Sequence, residues 1–160
     1  MKLKNRKNIR IPDFDYGQNG AYFITICAKD KNKIFWSNVG ADIIRPKDIT
    51  LSDVGKIAEQ GILQTEKHYS NIKIEKYVIM PDHIHFILVV DNNQNGRMVS
   101  APTVSTIIGS MKRWVSKQVG EPIWQKSFYD HVIRNQNDYN EIWEYIDNNP
   151  KKWLMERIDF

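Results

Sequence analysis

The stretch Lys76–Val90, KYVIMPDHIHFILVV, decides the fold, because two strand-like segments meet there at the turn-like break Pro81-Asp82. Side chains alternate between the two faces of a strand, so His83 and His85 are expected to point the same way. The apolar run Phe86–Val90 that follows is typical of a strand buried on both faces. The stretch therefore predicts a tight antiparallel pair with two imidazoles at the edge of a sheet, where a metal or substrate can reach them.

The rest of the chain alternates between strand-like and helical patterns. The predicted elements are a strand at Ala21–Ala28, a helix from its N-cap Ser52 to about His68, strands at Ile72–Met80 and His83–Val90, a helix opened by Pro102-Thr103 and ended by Gly120, an extended segment at Ile123–Arg134, and a helix from Asp138 to about Asn148. The order β, α, β, β, α, β, α predicts a ferredoxin-like α+β sandwich. In that architecture two helices cover one face of a four-stranded, mostly antiparallel sheet, and the last helix is an appendage.

Length and charge give the broad class. At 160 residues the chain is expected to form one domain with its own core. The net charge is +4, and five of the first ten residues are basic, which favours an anionic partner. An arm at positions 1–12 is therefore predicted, with Lys4, Arg6 and Lys7 as candidate phosphate contacts. A basic terminus kept only for solubility is an equally good interpretation.

The cysteine count and hydropathy predict a cytoplasmic protein. The single Cys27 excludes an intrachain disulfide and a cysteine-based zinc cluster, which fits a reducing compartment. The basic start is not followed by the apolar stretch of a signal peptide. No apolar run approaches the roughly 20 residues that span a bilayer, so no membrane partner is predicted.

The histidine pair is the first candidate site. Neutral imidazole binds metals, and with a pKa near 6.5 much of the histidine is neutral at cellular pH. Spacing alone leaves a second interpretation open, in which His83 and His85 only form hydrogen bonds within the core.

The last helix carries the second candidate, Tyr145. Ile142 and Ile146 can face the core, whereas Glu141, Tyr145 and Asn149 share another face at i, i+4 and i+8. A helical tyrosine is more often a packing residue than a catalytic one. Next to a metal its meaning changes, because a phenol can attack a phosphodiester once the phosphate is polarised and the phenolate is available.

Three segments in this order resemble one known family. They are Tyr77–Phe86 (YVIMPDHIHF), Trp124–Arg134 (WQKSFYDHVIR) and Asp138–Pro150, which ends in YIDNNP. They resemble the REP-associated tyrosine transposases, members of the single-tyrosine HUH transposases, whose HUH motif is the His-hydrophobic-His pair. The first strand and the intervening helices also match, so the resemblance covers nearly the whole chain.

The resemblance implies an endonuclease and strand transferase that acts on single-stranded DNA, most often a palindromic hairpin. His83 and His85 would hold a divalent metal, with Asn149 as a third ligand through its amide oxygen. Tyr145 would attack the scissile phosphate, leaving a 5′-phosphotyrosine and a free 3′-hydroxyl that can later reverse the reaction.

The nature of the metal follows from the resemblance. Two imidazoles alone suit zinc or other late transition metals, whereas amide, phosphate and water oxygens suit Mg²⁺ or Mn²⁺. The family implies Mg²⁺ or Mn²⁺, because substrate oxygens would complete the coordination shell. Pro150 is expected to hold Asn149 out of the α region, which affects the reach of this ligand.

Further candidate residues lie on the second helix and in the last two matched segments. The second helix carries Lys112, Arg113 and Lys117 on its polar side, which is either a solvated face or, like Arg134, a surface for DNA phosphates. A structural role is predicted for His131. Tyr139 is a second tyrosine of the last helix, but it does not occupy the motif position.

Two other functions remain open. A non-catalytic nucleic-acid-binding domain of RNA-recognition topology would need exposed aromatic residues on the central strands, where this chain has His83 and His85. A metal-dependent hydrolase of small phosphoesters would use activated water and form no tyrosine adduct. The few residues after Asn149 favour a monomer over a homodimer that exchanges the tyrosine helix.

Overall fold

Seven helices and strands organise the part of the chain that the structure, a computed structural model, describes: residues 20–37, 46–91 and 102–158. They are β1 (Gly20–Cys27), α1 (Asp53–His68), β2 (Ile72–Ile79), β3 (His83–Val90), α2 (Val104–Val119), β4 (Tyr129–Ile133) and α3 (Gln136–Ile158), with short 3₁₀ turns at Lys29–Lys31 and Pro46–Asp48. The predicted arm with Lys4, Arg6 and Lys7 lies outside these residues. No helix in the described ranges is long and apolar enough to span a membrane.

The four strands form one sheet in the order β2-β3-β1-β4, and every neighbouring pair is antiparallel. This order, with α1 and α2 in the crossover connections, confirms the predicted ferredoxin-like α+β sandwich. The predicted extended segment is shorter than expected, because only Tyr129–Ile133 pairs as a regular strand. Before it, Trp124 forms an isolated bridge with Ala28 beyond the end of β1.

One face of the sheet packs against α1 and α2. Strand alternation directs Tyr22, Ile24 and Ile26 of β1 to this face. The same alternation directs Ile84, Phe86 and Leu88 of β3 to it, and all six side chains are buried. The helices contribute the apolar stripes that the sequence predicts, which include Ala58, Ile62, Ile107, Ile108 and Met111. This face therefore holds the main core.

The predicted ends of the first two helices are confirmed by their capping contacts. Ser52 accepts a hydrogen bond from the backbone N–H of Gly55 at 3.0 Å, and Thr103 accepts one from Thr106 at 3.2 Å. Gly120 ends α2 in the left-handed region, with φ of 94°.

The opposite face of the sheet is covered by α3. Phe23 of β1 and Ile87 of β3 are buried there against Ile142 and Ile146. The last helix is therefore a third layer of the fold, and the strands β1 and β3 are buried on both faces.

The predicted limits of α3 are wrong at both ends. The helix begins at Gln136, because Asn135 provides the cap by accepting a hydrogen bond from the N–H of Asp138 at 2.8 Å, so the predicted start at Asp138 with Glu141 is two residues late. The helix also continues through Pro150 instead of ending near Asn148. Beyond the proline, the ring of Trp153 lies 5.0 Å from that of Trp36 and Leu154 is buried. These packing contacts outweigh the local preference against a helical residue before proline.

Candidate active site

The two histidines of β3 lie side by side on the sheet face that α3 covers. Their ring centroids are 4.6 Å apart, with the ring planes at 72°. His85 is 5% exposed, whereas His83 at the start of the strand is half-buried. The structure thus places both imidazoles on one face, as strand alternation predicts.

Each imidazole is oriented by a hydrogen bond at its Nδ1 atom. Asp82 Oδ1 lies 2.6 Å from Nδ1 of His83, and Thr25 Oγ1 lies 2.8 Å from Nδ1 of His85. With the proton on Nδ1, each ring donates to its oxygen partner and keeps a lone pair on Nε2. Such outer partners are typical of metal-binding histidines, because they fix the tautomer and the orientation of the ring.

Burial decides the charge of the His85 ring. Together with the neighbouring His83 it lowers the pKa of His85 to about 3, so this ring is neutral at ordinary pH. Burial alone would raise the pKa of Asp82, but its hydrogen bond to His83 and the charge of that ring keep the pKa below the ordinary value. The site therefore combines a neutral imidazole with a carboxylate that steadies the other ring.

The Nε2 atom of His85 indicates that the pair fits a metal ion. This atom is buried and has no hydrogen-bond partner within the described residues, and an unsatisfied buried polar atom is costly. A bound cation would satisfy it. The described ranges contain no cluster of three or more histidine, cysteine or acidic side chains suited to a metal. Asn149 is half-buried on α3, one turn after Tyr145.

Tyr145 projects from the middle of α3 beside the histidines. Its ring centroid is 5.4 Å from that of His85 and 6.0 Å from that of Phe23, with edge-to-face geometry in both cases. Phe23 in turn stacks on His85 at 5.2 Å. Tyr145 is 47% exposed, and its hydroxyl makes no hydrogen bond to the described part of the chain. An accessible phenol and two metal-compatible imidazoles thus meet at one site.

The second tyrosine of α3, Tyr139, differs from Tyr145 because its hydroxyl is hydrogen-bonded. The hydroxyl of Tyr139 donates a hydrogen bond to a carboxylate oxygen of Glu75. Burial, together with the hydrogen bond to Glu75 and its charge, raises the pKa of Tyr139 to about 12. Its phenolate is therefore harder to form, which disfavours Tyr139 as a nucleophile.

The basic residues of the second helix lie on the other side of the sheet. The ammonium group of Lys112 donates to the backbone carbonyls of Gln125 at 2.6 Å and Ser127 at 3.1 Å, so it ties α2 to the segment before β4. Arg113 and Lys117 are exposed on α2 and thus belong to the layer opposite the histidines.

Arg134 and His131 lie near the start of α3. Arg134 is exposed just after β4. His131 Nε2 lies 2.8 Å from a carboxylate oxygen of Asp138, which links β4 to the first turn of α3. This partner agrees with a structural role for His131.

Three site residues were not found from the sequence. Asp82 immediately precedes His83 in the Pro-Asp-His turn, so its position in the sequence could have indicated a contact with the His83 ring. Thr25 and Phe23 are about sixty residues away from the histidines, and only the pairing of β1 with β3 places Thr25 opposite His85. The strand register is set by long-range packing, so no local motif reveals these two residues.

Comparison with known proteins finds relatives along most of the chain. An uncharacterised protein of Haemophilus influenzae is 27% identical, over 98% of this chain and 94% of its own length. A second H. influenzae protein, provisionally named a REP-associated tyrosine transposase, is 25% identical over 86% of this chain and 74% of its length. A REP-associated tyrosine transposase of Escherichia coli is 29% identical over 55% of this chain and 51% of its length. No protein-family profile matches the chain.

A solved structure of a REP-associated tyrosine transposase bound to a REP hairpin is also similar. It has a TM-score of 0.60 and 21% identity, over 89% of this chain and 73% of that one. This likeness shows a shared fold, and the named sequence relatives confirm the resemblance that the motifs predict. The chain is therefore a homologue of the REP-associated tyrosine transposases, a group of tyrosine transposase enzymes.

Proposed function

We propose that this protein is a metal-dependent endonuclease and strand transferase for single-stranded DNA, with Tyr145 as its nucleophile. One observation carries the proposal: the exposed Tyr145 ring lies 5.4 Å from His85, whose buried Nε2 atom has no partner in the described chain. The first feature supplies an accessible nucleophile, and the second supplies a place for a cation next to it.

In the proposed reaction, the hydroxyl of Tyr145 reacts with the scissile phosphate beside His83 and His85. The Tyr145 oxygen forms a bond to phosphorus while the bond from phosphorus to the 3′ oxygen breaks. The phenolic proton is lost to solvent, and the leaving 3′ oxygen gains a proton. The products are a 5′-phosphotyrosine and a free 3′-hydroxyl. Because the phosphodiester energy is kept in the tyrosine bond, the 3′-hydroxyl of another end can reverse the step without a separate energy source.

The residues around the nucleophile hold the groups in place. Nε2 of His83, Nε2 of His85 and the amide oxygen of Asn149 would hold Mg²⁺ or Mn²⁺, and the cation would polarise the scissile phosphate. Asp82 and Thr25 occupy the two Nδ1 atoms, so that both Nε2 lone pairs would remain for the cation. The ring of Phe23, stacked on His85, excludes water from the inner side of the site.

We propose hairpin-forming single-stranded DNA as the substrate. The solved relative is bound to a REP hairpin, and the net charge of +4 suits a polyanion. Arg134, exposed between β4 and α3, and Lys4, Arg6 and Lys7 of the arm, which lies outside the described residues, are the proposed phosphate contacts. Arg113 and Lys117 would contact DNA only where it passes around the helical layer, and Lys112 is occupied by two carbonyl groups.

A covalent-adduct assay tests the proposal. The protein is incubated with palindromic single-stranded oligonucleotides and Mn²⁺, and a complex that survives denaturation is sought and mapped by mass spectrometry. The expected result is an adduct on Tyr145 that Tyr145→Phe abolishes while DNA affinity stays nearly unchanged.

Tyr139→Phe is the matched control for the identity of the nucleophile, because it removes the other phenol of the same helix and its adduct should still map to Tyr145. An adduct that persists in Tyr145→Phe, or that maps to Tyr139, refutes the assignment. Hydrolysis without an adduct would favour a phosphoesterase, and DNA binding without cleavage would favour a non-catalytic domain.

A further inference from the structure

Strand β2 contains an irregularity directly below the tyrosine helix. Ile74 pairs with Leu88 and Lys76 pairs with Ile87, so Glu75 is an extra residue at a β-bulge. In a regular strand, consecutive side chains point to opposite faces. The bulge instead allows Glu75 and Lys76 both to face α3.

These two side chains make three contacts along one side of α3. Glu75 accepts a hydrogen bond from the hydroxyl of Tyr139. The ammonium group of Lys76 lies 2.6 Å from Asp147 Oδ1 and 4.5 Å from the centroid of the Trp143 ring. Tyr139, Trp143 and Asp147 are spaced at i, i+4 and i+8, so they form a single stripe on the helix.

Tyr145 lies on the far side of the helix from this stripe. It is two residues from both Trp143 and Asp147, which corresponds to about 160° around an α-helix. Ile142 and Ile146 lie between the two sides and pack on the sheet, but apolar contacts are non-directional and constrain the rotation of the helix less than a hydrogen bond or an ion pair does. A rotation of about 20° would move a hydroxyl located about 8 Å from the axis through about 3 Å.

We propose that Glu75 and Lys76, presented together by the bulge in β2, are positioning residues that set the rotation of α3 and thereby hold Tyr145 beside His85. This inference rests on the proposed function of Tyr145 as the nucleophile. A displacement of about 1 Å in a reacting group can cost about 100-fold in rate, so directional contacts on the opposite side of the helix matter for the reaction.

The test separates the rate of the reaction from DNA binding. Lys76→Met keeps an unbranched apolar stem over Trp143 but removes the charge that contacts Asp147. We expect the single-turnover rate of adduct formation, at saturating DNA and Mn²⁺, to fall about 10- to 100-fold. The dissociation constant for the same DNA should change less than about 3-fold, because Lys76 acts through the helix and is not a DNA contact.

Two further variants distinguish positioning from general stability. Lys73→Met is the matched control, because Lys73 is an exposed lysine of the same strand opposite Val89, and this change should leave the rate unaltered. In the charge-reversed pair Lys76→Asp with Asp147→Lys, the ion pair is rebuilt with its charges exchanged. We expect this double variant to regain most of the rate that either single change loses.

A measurement on the protein without DNA or metal keeps the inference independent of catalysis. The nuclear Overhauser effect between the Tyr145 and His85 rings should weaken in Lys76→Met and persist in Lys73→Met. The inference is overturned by an unchanged rate, by an unchanged ring contact, or by affinity and rate falling in parallel. Absence of an adduct in the unaltered protein refutes the proposed function instead, and the ring contact still decides whether Lys76 holds Tyr145 in place.

Discussion

Thr25 and His85 lie directly opposite each other on β1 and β3, and Thr25 Oγ1 is 2.8 Å from Nδ1 of His85. The hydroxyl thereby occupies one nitrogen of the ring, whereas Nε2 has no hydrogen-bond partner within the described residues. Because the ring is buried, water has little access to replace this partner. The orientation of His85 therefore depends on a residue sixty positions away in the sequence.

Thr25→Val should weaken metal binding. Valine has nearly the shape of threonine but cannot orient Nδ1, and loss of such an outer partner typically costs about 10- to 100-fold in metal affinity. Calorimetric titration of the protein with Mn²⁺ measures this change. Thr25→Ser, which keeps the hydroxyl, is the control and should retain most of the affinity. An affinity in Thr25→Val equal to that of the unaltered protein would contradict a metal role for His85.

The stability of the metal-free protein should fall as the pH decreases below about 6.5. The pKa of His85 is near 6.5 when the ring is solvated but about 3 in the folded protein, because the ring is buried. Between these values the unfolded state binds more protons, so the contribution of His85 to the free energy of unfolding rises with pH across this window and is constant above it. At pH 5 the expected cost is about 2 kcal/mol relative to pH 7.5.

Denaturant unfolding at the two pH values, with a chelator present, measures this effect. Between pH 7.5 and 5, the free energy of unfolding of His85→Gln should fall by about 2 kcal/mol less than that of the unaltered protein. The control is His68→Gln, which changes an exposed histidine of α1 and should retain the full pH dependence. Equal pH dependence in His85→Gln and the unaltered protein would show that His85 is not the group responsible.

Local sequence patterns were sufficient for most of the fold. The caps Ser52 and Gly120, the strand alternation at His83 and His85, and the apolar stripes of α1 and α2 depend on neighbouring residues, and each was predicted correctly. The order of strands followed from the order of elements, because the ferredoxin-like topology is the compact arrangement of two such crossovers.

Features that depend on long-range packing were not predicted. The α3 helix continues through Pro150 because Trp153 and Leu154 find apolar partners, which a local rule about proline does not include. Likewise, Lys112 has the appearance of a solvated or phosphate-binding residue, but its ammonium group lies on carbonyls that the fold brings close to α2. The meeting of Tyr145 with His85 was expected from the resemblance, whereas Thr25 and Phe23 required the register of β1 with β3.

Lys112, which is hydrogen-bonded within the fold, and Arg134, which is exposed, should respond differently to substitution. Lys112→Met removes charged hydrogen bonds to Gln125 and Ser127 and should lower the free energy of unfolding by about 2 kcal/mol. It should leave the salt dependence of DNA affinity unchanged. Arg134→Gln should change stability by less than about 0.5 kcal/mol, since its side chain is exposed.

The salt dependence of DNA binding checks Arg134. If its guanidinium contacts a phosphate of single-stranded DNA, Arg134→Gln reduces the slope of log affinity against log salt by about 0.7. Fluorescence anisotropy over a range of salt concentrations measures the slope. If Lys112→Met instead reduces this slope and leaves the free energy of unfolding unaltered, Lys112 is a DNA contact and not a structural residue.

Gly55 is required by the close approach of α1 to the loop after β1. A Cβ atom at this position would lie 2.1 Å from the backbone carbonyl oxygen of Phe35, which also accepts the N–H of Ser52. We expect Gly55→Ala to destabilise the fold by at least about 2 kcal/mol, because backbone has to move to admit the methyl group. In Gly109→Ala, the nearest atom is the flexible end of Arg113 at 3.3 Å, so this control should be neutral or gain up to about 1 kcal/mol. Thermal or urea unfolding compares the two, and equal effects would contradict the predicted clash.

Pro150 is the residue of α3 whose replacement should stabilise the protein. Proline has no N–H to donate to the carbonyl of Ile146, and an interior proline costs about 3 kcal/mol relative to alanine. Proline also restricts the unfolded chain, which offsets this cost by about 1 kcal/mol. Pro150→Ala should therefore raise the free energy of unfolding by about 2 kcal/mol in urea denaturation. Lys151→Ala, an exposed change at the next position of the same helix, should alter it by less than about 0.5 kcal/mol. An unchanged or lower stability of Pro150→Ala would mean that the contacts of Trp153 and Leu154 depend on the particular path that the proline gives to the helix.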